Sequence, residues 1–336
     1  MNEKIIIAVD AMGGDNSPSK IIEGINIALK KDKELFFNIY GDETIISKLI
    51  LKFNIHNSNY KIIHTDIFIN DNESPLQGAK KSKETSMWKT INSLKANESH
   101  IALSAGNTGA LLIISKMILE MIEGIDKPAL AGLWPNKIGT NIVLDLGANI
   151  DCSEKNLLDF SFMGAALHKS LFPNEPADVA ILNVGSEESK GHETLKNTYA
   201  KLKKINKKDF NFKGYVEGND IMKGYINVVV TDGFTGNIAL KTAEGTATFI
   251  SAALKEALHS SIISKFLTIL NYKNFNKFKK RLDPRKYNGA IFLGLNKPVV
   301  KSHGSTDAYG FAHSIIMCRN IIKGDLINKI KHNLNN

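Results

Sequence analysis

The chain has 336 residues, enough to bury a large core as one big α/β domain or as two lobes. Its formal charge is +9, and its two cysteines, Cys152 and Cys318, point to a reducing cytoplasm without a disulfide framework. No Cys/His cluster at zinc spacing is present, and no apolar run is long enough to cross a bilayer, so neither a metal nor a membrane span is expected.

The first element is the run from Ile5 to Val9, β-branched and without polar alternation, which predicts a strand buried on both faces. It ends in Asp10-Ala11-Met12-Gly13-Gly14-Asp15 and is followed by an amphipathic helical pattern from Ile21 to Leu29. Ligands of open parallel sheets bind at the carboxyl ends of strands, where paired glycines let backbone approach them. Four more strand-like runs end the same way. Ile101-Ala102-Leu103 enters Ser104-Ala105-Gly106-Asn107-Thr108-Gly109, ahead of an apolar helix over 111–119. Asn141–Asp145 enters Leu146-Gly147-Ala148-Asn149, and Val179–Asn183 enters Val184-Gly185-Ser186 and, further on, Lys190-Gly191. Val228-Val229-Val230 enters Thr231-Asp232-Gly233-Phe234-Thr235-Gly236-Asn237 and a long helix. Such loops present N–H groups to an anion at a helix start, although Ser, Thr and Asn are also plain caps. Five of them predict one shared cleft. No nucleotide fingerprint accompanies them, so the anion expected is free phosphate or a small phosphorylated group, and no cofactor is expected.

Alternation of strand and helix continues to the C-terminus, which predicts a largely parallel sheet. No linker composition marks a boundary, so residues 1–336 read as a single domain. Within it, residues 255–286 carry nine Lys/Arg against Glu256 and Asp283. Apolar residues interleave at helical spacing, and Asn271 and Asn274 suggest a break between two short helices. This predicts an amphipathic hairpin over about 255–288. Ile262, Ile263, Phe266, Leu267 and Ile269 would enter a membrane interface while Lys277, Lys279, Lys280 and Arg281 meet lipid phosphates. The same greasy face would equally suit a dimer interface. Nucleic-acid binding would leave the five loops idle and is not expected.

These segments, joined by Lys301-Ser302-His303-Gly304-Ser305-Thr306-Asp307, together resemble the bacterial fatty acyl-phosphate synthases, the acyl-carrier-protein:phosphate acyltransferases. They fall in the expected order from residue 5 to about 320. The resemblance implies a three-layer α/β/α sandwich like the isocitrate and isopropylmalate dehydrogenases and phosphotransacetylase. It also implies a homodimer attached loosely to the inner membrane face. The implied reaction is acyl-carrier-protein thioester plus inorganic phosphate giving acyl phosphate, which a membrane glycerol-3-phosphate acyltransferase would consume. A coenzyme A-dependent phosphotransacetylase and a non-enzymatic membrane scaffold are the rival readings.

The chemistry needs no enzyme nucleophile, because phosphate itself can attack a positioned thioester. Gly13, Gly14, Ser104, Gly106, Asn107, Thr108, Asn149 and Lys190 are the expected phosphate or substrate ligands. Thr235, Gly236 and Asn237 are the expected oxyanion side. His303 is the candidate to protonate the departing thiolate, with Lys301 beside it. Asp10 and Asp232 fit orienting roles better than base catalysis beside a dianion. His168 and the remaining histidines read as surface or packing residues.

Overall fold

The computed structural model describes residues 4–206, 210–261, 271–281 and 283–335. Among them, eleven strands form one sheet. In chain order these are β1 Ile5–Asp10, β2 Leu35–Gly41, β3 Tyr60–His64, β4 Ile101–Ser104, β5 Ala129–Pro135, β6 Thr140–Leu144, β7 Ala177–Leu182, β8 Phe210–Val216, β9 Val228–Val230, β10 Ala290–Leu293 and β11 Val299–Lys301. The helices are α1 Ser19–Lys31, α2 Glu43–Phe53, α3 Pro75–Lys80, α4 Ser86–Lys95, α5 Thr108–Leu119, α6 Glu154–Leu171, α7 Glu193–Leu202, α8 Gly233–His259, α9 Tyr272–Arg281, α10 Ala308–Lys323 and α11 Leu326–Asn335.

The strand order is β3-β2-β1-β4-β11-β10-β5-β6-β9-β7-β8. The five strands from β3 to β11 are mutually parallel, as are the four from β6 to β8. Between these halves, β11–β10, β10–β5 and β5–β6 are all antiparallel. Three reversals leave the two parallel halves pointing in opposite senses.

Alternate side chains cover both faces, as the run Ile5 to Val9 predicts. Ile5, Ile7 and Val9 belong to the continuous core that α1, α2, α6, α7, α10 and α11 cover on one face. Ala8 faces α4 and α5 on the other, and Val143 and Val229 meet the first turns of α8 on that same side. The result is the expected three-layer α/β/α sandwich with a largely parallel sheet.

Helix starts follow local chemistry. Asp42, Asp232 and Asp307 cap α2, α8 and α10 through side-chain oxygens, and Ser153 with Asn156 closes a capping box on α6. Helix α9 begins after Asn271, whose carbonyl accepts from the Asn274 and Phe275 N–H groups, so Asn274 lies within the helix; residues 262–270 of the expected hairpin lie outside the described residues. The proposed membrane residues Ile262, Ile263, Phe266, Leu267 and Ile269 lie outside the described residues.

Candidate active site

Register places Asp10, Ser104 and Lys301 in one row across the adjacent parallel strands β1, β4 and β11. Residues in register point to the same face, here the face carrying α4 and α5. All three are buried, with Asp10 1% exposed and Lys301 9%. Ser104 donates its hydroxyl to Asp10 Oδ2 at 2.7 Å, and Ser86, from the first turn of α4, donates to Oδ1 at 2.7 Å. The Met12 N–H adds a third bond at 3.3 Å. Burial raises the Asp10 carboxyl above its ordinary value, opposed by these hydrogen bonds. Asp10 therefore anchors the row by holding two serine hydroxyls and the Met12 N–H.

Lys301 Nζ donates to the carbonyls of Ala105, at 3.2 Å, and Ser302. Burial pulls its ammonium down to about 8, with Lys20 adding to the drop and Asp71 and Asp10 resisting it. A second buried lysine, Lys20 of α1, donates to the Gly304 carbonyl, which also accepts the Asp15 N–H at 3.0 Å. Glycine is required where these loops cross. At Gly14, with φ +83°, a Cβ would stand within about 3 Å of Ala105 O, Lys20 Nζ and Gly304 O.

His303 stands at the mouth of this cluster. Asn288 Oδ1 accepts its backbone N–H at 3.0 Å, while its ring Nδ1 accepts from the Ser305 N–H at 3.3 Å. An accepting Nδ1 assigns the neutral ring's proton to Nε2. Burial lowers the imidazole below its ordinary value; Lys301, Lys241 and Lys20 push the same way, against Glu244. Lys241 and Glu244 belong to α8 and pair with each other at 2.8 Å. In its neutral form the ring offers the Nε2 N–H as a donor.

A second cluster forms at the carboxyl ends of β6 and β9. Buried Asp145 accepts from the N–H groups of Leu130, Gly147, Ala148 and Asn149 and from Asn149 Nδ2, between 2.8 and 3.1 Å. The Asn149 carbonyl accepts the Gly233 N–H at 2.8 Å. Asp232 is engaged by the Thr235 N–H and hydroxyl, at 2.8 and 2.9 Å, as the cap of α8. Gly236 packs directly on the Asp145 carbonyl, leaving no room for a side chain, and exposed Asn237 lies against Gly147. Burial, with Asp145 and Asp232 adding to it, pushes the Cys152 thiol up to about 11, and burial raises that of Cys318 also. Neither has the character of a nucleophile.

The expectation of one cleft rimmed by five loops needs correction. Gly13, Gly14, Ser104, Gly106, Lys301 and His303 come together at one end of the sheet. Asn149, Asp232, Thr235, Gly236 and Asn237 gather at the carboxyl ends of strands that run the opposite way. The reversals at β10, β5 and β6 are the cause. Helix α8 links the groups, since it starts at the second and brings Lys241 and Glu244 into electrostatic reach of His303. Lys190 is exposed on the β7 loop, where its carbonyl accepts from Asn183 Nδ2. Asn107 caps α5 through Oδ1 while its amide donates to the Asp71 and Glu73 carbonyls, and Thr108 is the exposed first residue of that helix.

Lys20, Ser86, Asp71 and Asn288 were not singled out in the sequence. Only Lys20 left a signal there: it shares a helical stripe with Gly24 and Ala28, a lysine on an otherwise apolar face.

The fold is shared with solved phosphotransacetylases. The structure is similar to that of a phosphotransacetylase from Streptococcus pyogenes, with a TM-score of 0.62, 16% identity and coverage of 98% and 95% of the two chains. The EutD phosphotransacetylase from Staphylococcus aureus gives 0.59, 14% identity and coverage of 95% and 94%. Sequence relatives are much nearer. The phosphate acyltransferase of Pelagibacter ubique is 57% identical over 334 residues, 99% of this chain and 100% of the relative. That of Parvibaculum lavamentivorans is 44% identical over 98% of this chain and 91% of its own. Residues 5–329 match the model described as fatty acid synthesis protein, and the chain belongs to this family of acyltransferases of lipid biosynthesis.

Proposed function

We propose that the protein transfers a long-chain fatty acyl group from acyl-carrier protein to inorganic phosphate, yielding acyl phosphate for phospholipid synthesis. The observation that carries the reading is the buried row of Asp10, Ser104 and Lys301 with the His303 loop at its mouth. This arrangement offers cations and N–H donors, and neither cysteine is activated as a nucleophile. A phosphate oxygen would attack the thioester carbon, the C–S bond would break, and the thiolate would take a proton from water. The Nε2–H of His303 would donate to developing negative charge rather than give up a proton. One such donor is worth roughly 3–4 kcal/mol in comparable sites.

Two further parts of the reading concern location. The exposed apolar residues of α8, among them Phe249 at 73% and Ile250, would be covered by a second copy of the chain, making a homodimer. The basic helix α9, with Lys273 and Lys277 exposed, would face an anionic membrane surface near the acyltransferase that consumes the product. No described helix is long and apolar enough to cross a membrane. Similarity to phosphotransacetylase structures favours the second reading, transfer from a coenzyme A thioester.

The test is incubation with palmitoyl-carrier protein and phosphate, following free thiol and acyl phosphate together. Both should appear in equal amounts. Turnover of acetyl-coenzyme A alone supports the second reading, and no turnover of any thioester removes both.

A further inference from the structure

Lys20 and Lys301 share an unusual circumstance. Lysines are seldom buried without a paired charge, because an isolated ammonium is costly to desolvate. Yet Lys20 is 5% exposed and Lys301 9%, and among the described residues neither stands within ion-pair distance of a carboxylate. Their hydrogen bonds go only to main-chain carbonyls, those of Gly304, Ala105 and Ser302. They arrive from different elements, Lys20 from α1 and Lys301 from the end of β11. They nevertheless meet around one point: a Cβ on Gly14 would lie 2.9 Å from Lys20 Nζ and 2.9 Å from Ala105 O, the oxygen that Lys301 also bonds.

We infer that Lys20 and Lys301 together form the seat of the inorganic phosphate, beside the His303-Gly304 turn. This rests on the acyl-transfer reading for its ligand. A phosphate dianion would supply the counter-charge that both ammoniums lack among the described residues. Its place beside His303 would put the attacking oxygen next to the donor for the thioester oxygen. Three carboxylates oppose it at longer range. Asp10 is turned away into its serine bonds, whereas exposed Asp71 and Asp15 guard the mouth and bias Lys20 electrostatically. Asp71 Oδ2 lies 3.9 Å from the position of a Cβ on Gly304. Removing that charge should therefore strengthen phosphate binding, an effect that a purely structural role for the lysines would not give.

The experiment measures binding of inorganic phosphate alone to the full chain by titration calorimetry, and the phosphate KM of acyl transfer. Lys20→Met should raise both the phosphate Kd and the phosphate KM at least tenfold while the KM for the acyl donor stays put, and Lys20→Arg should recover part of the loss. Asp71→Asn, at an exposed position that spares the fold, should lower the phosphate Kd and KM several-fold. A well-folded Lys20→Met with reduced kcat and unchanged phosphate KM would show that Lys20 only pins Gly304, and would overturn the seat. So would weaker phosphate binding in Asp71→Asn. Lys20-dependent phosphate binding without turnover of any thioester would uphold the seat and remove the reaction. Turnover indifferent to Lys20 and Asp71 would do the reverse.

Discussion

Gly13 and Gly106 meet backbone to backbone: a Cβ built on Gly13 would stand 2.6 Å from both the Cα and the N of Gly106. The loops after β1 and β4 are thus locked together by the absence of two side chains, and the polar row lies directly beneath.

Gly13→Ala should force these loops apart, because the obstructing atoms are main chain and cannot swing aside. A stability loss of about 1–3 kcal/mol is expected, with a larger proportional loss of kcat. Gly106→Ala should be milder, since its Cβ would first meet the flexible tip of Met87 at 3.0 Å. Denaturant melts and kcat on both variants check the order.

Asp10→Ala should leave the hydroxyls of Ser86 and Ser104 and the Met12 N–H without their acceptor in a buried site. The expected cost is about 2–4 kcal/mol, and chemical denaturation measures it. A variant as stable as the parent would mean the row is not held by this carboxylate.

Lys301 sets a pH limit. Its ammonium, pulled down to about 8, is present at pH 7 and lost as the pH climbs through that value. Phosphate remains a dianion there, so its KM should rise above pH 8, approaching tenfold per unit. Lys301→Arg should flatten the rise, because a guanidinium keeps its charge. Initial rates from pH 6.5 to 9.5 give the comparison.

His168 should govern acid stability. It is buried on α6 against Phe172, with ring centroids 5.0 Å apart, and burial holds its imidazole down to about 4, with Lys169 adding to the drop. The unfolded chain takes up a proton below about 6.5, while the folded chain does not until about 4. Stability is therefore lost as pH falls between these values, by about 3 kcal/mol in all. His168→Phe should remove most of that slope in melts at pH 7, 6 and 5.

Phe249→Asp with Ile250→Asp on α8 should convert the proposed homodimer to a monomer. Sedimentation velocity would read the change, and an unaltered species would place the self-association elsewhere or remove it.

Sequence made much of this legible where one residue type has one physical use. The β-branched run at Ile5–Val9 reads as an enclosed strand and forms one, whereas Gly13-Gly14, expected to bring backbone close to a ligand, closes on the backbone of Gly106. Asp145 and Asp232 were visible as loop residues, but their occupation by N–H donors depends on tertiary geometry. The antiparallel steps at β5, β6 and β10 carry no local signature, since a short buried strand looks the same in either direction. That is why loops alike in composition were assigned to one cleft. Ser86 and Asn288 were invisible for a related reason: each becomes informative only beside Asp10 or His303.

Strands β10 and β11 sit in the middle of the sheet yet come from residues 290–301. During translation, β4 and β5 emerge with one border each still lacking its neighbour. At ribosomal speeds of about 5–20 residues per second, roughly 10–40 s separate Ser104 from Lys301. Throughout that interval the nascent chain displays two open strand borders, the kind that templates aggregation. A stop codon just before residue 290, which leaves 289 of the 336 residues, should therefore yield insoluble product rather than a weakened catalyst.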